Sequence, residues 1–210
     1  MIGDNDALLR AQQRSHSWMV SCARILDGVT FSTTMRSRVA VALQHLCIEH
    51  HQGAHTLIEQ NVRGSAFALY RPQFEAYARG LWYQYCASDA NVDRYMQGAE
   101  PPRISKIASD LAKVTGYPGR VVLEVKQGTW GAMCAFTHGG AVQVKARSVG
   151  DEIRQSYSDR HAAQLLDSTA VLSYLAALAI AAVADDGNLA KRLHETHQPI
   201  FDRVYRRDDT

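Results

Sequence analysis

Four cysteines, spread as Cys22, Cys47, Cys86 and Cys134 with no CxxC pair, are too few and too far apart for a disulfide framework or a zinc ribbon. They read as buried free thiols of a reducing compartment. No basic leader precedes an apolar run in MIGDNDALLR, and the longest apolar stretch, Ala170–Ala184, falls short of the about 18 residues that suggest a membrane span. A soluble, cytoplasmic protein without a membrane partner is therefore expected. An excess of charge of one sign is also missing. The 23 basic and 21 acidic residues are interspersed, and a net charge of +2 is too mild for a strong nucleic-acid or membrane footprint. The chain has no GxxxxGK[ST], no GxGxxG after a strand and no GxSxG, which removes the phosphate-cradling, dinucleotide and hydrolase templates and leaves no cofactor to expect.

What is present is helical periodicity almost throughout, and 210 residues at 46% hydrophobic content suit a single domain, 1–210. Asp4 or Asn5 can cap a first helix carrying Leu8, Leu9, Met19, Val20, Ile25 and Leu26. Ser32-Thr33-Thr34 opens a second helix to about Asn61, with Val39, Leu43, Leu46, Cys47, His50, Ala54, Leu57 and Ile58 on one core-facing seam. Shorter helices are expected at Asp93–Gly98 and Ile104–Val114. A longer one, Val121–His138, is closed by Gly139-Gly140. The alternation of Val142, Val144 and Ala146 with Gln143, Lys145 and Arg147 predicts a short extended segment. A long helix from Asp151 or Ser158 to Ala184, a turn at Asp185–Asn188 and a last amphipathic helix complete the chain, with the tail Arg206–Thr210 frayed.

The third helix, Gly64–Ser88, is the richest stretch. At about 100° per residue, Phe67, Tyr70, Phe74, Tyr77, Leu81 and Tyr85 share one side, and Arg71, Glu75 and Arg79 form a stripe on the other that runs into Trp82 and Cys86. Pro72 forces a bend near Ala68 or a restart near Arg71, and either leaves carbonyl groups in need of donors. Because Val62-Arg63-Gly64 is a short connection, the second and third helices should be antiparallel, which brings His50 level with Glu75. Covering Tyr70, Tyr77, Trp82, Tyr83 and Tyr85 from one helix asks for more surface than a thin bundle offers, so a homodimer is expected.

The candidate catalytic residues are His50, Arg71, Glu75 and His138. The Arg-Glu-Arg ladder is equally an ordinary ion network, and His50 equally a satisfied core histidine. His138, at a helix C-terminus before two glycines, combines a titratable ring with accessible backbone N–H groups. In EHHQGAH, His51 and His55 have metal-ligand spacing with Glu59, but no second pair stands elsewhere and both fall off the seam toward water, so no metal is expected.

The ordered set IEHHQGAHTLIE, SAFALYRPQFEAYARGLW and FTHGG, within Arg38–Gln143, resembles uncharacterised bacterial all-helical proteins that look like distant relatives of the HEPN superfamily and its abortive-infection proteins. The resemblance implies an all-α, HEPN-like antiparallel helical bundle and a role in phage defence or toxin–antitoxin systems, with RNA as substrate or partner and metal-independent cleavage. That family's Arg-x4–6-His motif can be placed at Arg10/His16, Arg38/His45, Arg154/His161 and Arg192/His197. The competing expectation is a non-catalytic helical interaction module in which the charged ladder is structural.

Overall fold

The computed structural model describes residues 2–114 and 119–205. The turn at Gly116-Tyr117-Pro118 and the tail Arg206–Thr210 lie outside the described residues, as do the side chains of Asp4 and Asn5. The fold is all-α: α1 (Ile2–Leu26), α2 (Met35–Glu59), α3 (Arg63–Ala68), α4 (Tyr70–Tyr85), α5 (Asp89–Met96), α6 (Ile104–Leu111), α7 (Gly119–Thr137), α8 (Ala141–Lys145), α9 (Asp159–Val183) and α10 (Gly187–Tyr205). A minimal antiparallel hairpin, β1 (Ser148–Val149) with β2 (Glu152–Ile153), lies between α8 and α9.

Local chemistry sets the helix starts. Thr34 accepts the Ser37 N–H at 3.1 Å and Ser158 accepts that of His161 at 3.2 Å, while Ser88 and Asn91 form a reciprocal capping box. Pro72 divides the third expected helix. The chain leaves α3 at Leu69 and restarts as α4 with Pro72 in its first turn, where a missing N–H costs nothing. The Ala68 carbonyl, which Pro72 cannot bond, accepts the Thr137 hydroxyl at 3.2 Å, so the break is repaired from α7. At this same C-terminal end of α7, Gly139 takes φ +65° and the Gly140 N–H donates to the Ala135 carbonyl at 2.8 Å, a Schellman closure that leaves His138 as the cap residue.

Helix α2 packs against α4, α9 and α1, and α10 closes over α9 and α1. Gln73 of α4 reaches the Cys47 carbonyl, and Gly80 lies so close to α2 that a Cβ there would come within 2.4 Å of Gln44 Nε2, an antiparallel register. His51 pairs with Thr169 and Cys47 with the Leu172 carbonyl, so α9 also runs against α2. Four helices are therefore stitched by one buried polar line: Ser15 of α1 to His51 Nε2 at 3.2 Å, His51 Nδ1 to the Thr169 hydroxyl at 2.9 Å, and Gln73 Nε2 to the Thr169 and Cys47 carbonyls at 2.8 and 3.2 Å. Ser15, His51, Thr169 and Gln73 are all essentially sealed from solvent.

This arrangement corrects several expectations. A helix covered on more than one side buries more than one seam: Gln44, Ile48, His51 and His55 are buried, whereas Leu46 is exposed and His50 only half-buried. His51 and His55 thus face the core and not water. In α1, Trp18 and Cys22 point inward while Leu9 and Val20 are exposed. Val142–Lys145 is a helical turn, because Gln143 turns inward and donates to the Gly64 and Phe136 carbonyls at 3.0 and 2.8 Å; the extended pair falls at Ser148–Ile153. By length and composition α9 could cross a membrane, but Leu165, Leu166, Leu172 and Ile180 are buried within the chain. Of the aromatic residues on which the expectation of a homodimer rests, Tyr77, Trp82 and Tyr83 are covered by the chain itself, whereas Tyr70 is half-buried and Tyr85 is exposed. The four cysteines are free; Cys22 and Cys47 are buried, Cys86 and Cys134 half-buried.

Candidate functional site

The i,i+4 spacing of Arg71, Glu75 and Arg79 holds on α4, and the two arginines divide the carboxylate between them. Arg71 Nε donates to Glu75 Oε1 at 2.8 Å and Arg79 Nη2 to Oε2 at 2.5 Å. Arg71 also donates to His138 Nε2, and its guanidinium lies over the Trp130 ring, 4.8 Å from the centroid. Trp130 and Thr137, seven residues apart on α7, turn the same face toward α3 and α4, where one meets Arg71 and the other the Ala68 carbonyl. Three of the four expected residues, Arg71, Glu75 and His138, therefore converge, with Arg79 and Trp130 added.

His50 does not join them. It lies half-buried on α2 and makes no hydrogen bond to Glu75; burial lowers its pKa, with the Glu49 charge opposing. The buried histidine of that helix is His51, one residue and about 100° further round. Burial pushes His51 down to about 3, helped by neighbouring His55 and His197, so its ring is neutral and bridges Ser15 and Thr169. The ladder's meridian also turns polar again at Trp82, whose Nε1 donates to Asp110 Oδ2 at 2.9 Å. Lys106 shares that carboxylate at 2.7 Å, and both bonds lower its pKa.

The geometry restricts the chemistry available. A general base needs a free acceptor within about 2.6–3.2 Å of the proton it takes. Both oxygens of Glu75 and the Nε2 of His138 are already engaged by arginines. Cavities of about 640, 400, 370 and 350 Å³ are lined by other residues, and none of the four includes Arg71, Glu75, Arg79 or His138. Among the described residues no three His, Cys, Asp or Glu side chains converge as metal ligands, and His55 instead meets Glu59 at 3.1 Å.

The matched family model spans residues 44–206, most of the chain and all of this cluster. The chain belongs to the family of unknown function DUF6988. No curated protein and no solved structure matches it. The match thus covers α3 to α10 in full and the C-terminal part of α2, including His51, but leaves out α1, which supplies Ser15 and Trp18.

Proposed function

We propose that this chain is a helical interaction module without chemistry of its own, in which Arg71, Glu75, Arg79, His138 and Trp130 form a structural clasp between α4 and α7. The observation that carries this reading is the double occupation of Glu75 by two arginines together with the engagement of His138 by one of them. The clasp closes next to the Pro72 break and holds α7 against the restarted helix α4, beside the Thr137–Ala68 bond that ties α7 to α3. Glu75→Gln keeps one acceptor but strands a guanidinium charge. The arginines retain part of their solvent access, 22% and 32% of the side chain, so the cost is about 1–2 kcal/mol, below the 3–5 expected of a fully buried pair. Arg71→Met and His138→Ala should each destabilise. Measured by urea unfolding, the double variant should fall short of additivity by about 0.5–1 kcal/mol, whereas strict additivity would remove the clasp.

A second reading, an HEPN-like RNA-cleaving or RNA-binding defence protein, is favoured by the direct contact of Arg71 with the exposed His138. An arginine could stabilise developing phosphate charge while the histidine moves a proton. Of the Arg-x4–6-His placements, Arg192/His197 is unsuited to this role. The His197 ring is stacked between Tyr174 and Phe201, with centroids at 4.0 and 4.4 Å, and meets Trp18 edge-on in the core.

A further inference from the structure

The cavity of about 640 Å³ is walled by α3, α4, α7 and α9 and closed at one end by α8 and the segment after β2. Its size is that of a small-ligand site, about 300–1,000 Å³. Phe67, Met133, Phe136 and Leu165 supply its apolar wall. The polar groups deep in it are satisfied within the chain: Tyr70 bonds Ser168, and Thr129 donates to the Val125 carbonyl at 2.7 Å. At the mouth the chemistry changes. Lys145 and His161 line the cavity with exposed side chains that enter no ion pair among the described residues, and no acidic residue lines it.

We propose that this cavity binds a free single-chain aliphatic monocarboxylate, with the hydrocarbon chain along the Phe67–Met133–Phe136–Leu165 wall and the carboxylate between Lys145 and His161. Apolar burial supplies the affinity, and the Lys145 side chain fixes the end at which the head group sits. A cation in the same place would meet Lys145 with nothing to neutralise it. Three of the lining elements, α3, α7 and α8, are tied to one another by the Gln143–Gly64, Gln143–Phe136 and Thr137–Ala68 bonds, so the space is held by the fold and is not the gap beneath one loose segment. This proposal deepens the module reading and rests on it. Cleavage of RNA by the purified chain would sink that reading whatever the cavity binds, whereas failure of the carboxylate to bind sinks this proposal alone.

The test is isothermal titration calorimetry of the full chain with octanoate, dodecanoate and hexadecanoate, each below its micellar concentration, and with dodecylamine as the cationic counterpart. Dodecanoate should bind at one site per chain, dodecylamine at least about tenfold more weakly, and Lys145→Glu should weaken dodecanoate by at least about tenfold. Ala132→Trp, which fills the cavity from an exposed wall position, should abolish binding while leaving the melting temperature within about 2 °C of the parent. Absence of saturable binding by all three acids would overturn the proposal. So would equal binding of acid and amine, an unchanged affinity in Lys145→Glu, or a dimer in sedimentation that Ala132→Trp dissociates, since a second copy would then be the occupant.

Discussion

Lowering the pH from about 7.5 to about 4.5 is expected to remove about 3 kcal/mol of stability through His51 alone. Its pKa falls from an ordinary 6.5 to about 3 on folding, chiefly by burial. The unfolded chain therefore takes up a proton that the folded chain refuses. The stabilisation is fully present above pH 6.5 and is lost, at about 1.4 kcal/mol per pH unit, as the pH falls from there toward the folded value. His197, held down to about 4 by burial and by His194, and His55, lowered by burial against the pull of Glu59, act in the same direction. Against a total stability of typically 5–15 kcal/mol this is a large fraction. Chemical unfolding followed by circular dichroism across this range should show stability rising with pH. His51→Gln, which keeps a polar group between Ser15 and Thr169 but cannot titrate there, should flatten the slope by about one proton. An unchanged slope in that variant would place the titrating group elsewhere.

Trp18→Ala should cost about 3–5 kcal/mol. The ring is fully sealed, meets Tyr174 and His197 edge-on at 5.8 and 4.8 Å, and donates from Nε1 to the Ser173 hydroxyl at 3.1 Å. Truncation opens a cavity where α1, α9 and α10 meet and leaves the Ser173 hydroxyl without its donor. Trp18→Phe, which keeps most of the volume, should cost about half as much or less. The check is a shift of the denaturation midpoint with the slope unchanged. A loss below about 1 kcal/mol would mean that α1 contributes little to the core.

Much of this fold was legible in local pattern. Caps at Thr34 and Ser158, the Gly139-Gly140 closure and the Pro72 break are written in adjacent residues, and the structure forms each through backbone groups that those residues satisfy or cannot satisfy, whereas Ser88, expected to end the third helix with the next at Asp93–Gly98, instead caps α5 at Asp89–Met96. The Arg71–Glu75–Arg79 ladder is legible for the same reason, since i,i+4 spacing brings side chains together before any tertiary contact forms. What the sequence hid was tertiary. His50 and His51 are adjacent in EHH, and only the approach of α1, α4 and α9 to α2 decides which ring is buried. Val142–Lys145 carries strand-like alternation, yet Gln143 binds carbonyls of α3 and α7 that no local window contains. Trp130 had a usable signal, its seven-residue spacing to Thr137, but its meaning depends on Arg71 being opposite.

The most direct test of a structural rather than catalytic cluster is a paired assay on the purified chain and its His138→Ala variant: cleavage of labelled single-stranded and hairpin RNA, and thermal unfolding of the same samples. A structural clasp predicts no cleavage by either protein and a melting temperature lowered by about 2–4 °C in the variant, the shift that about 1 kcal/mol produces in a chain of this size. Cleavage by the parent chain that His138→Ala abolishes, with the melting temperature unmoved, would contradict it and make Arg71 and His138 an active site.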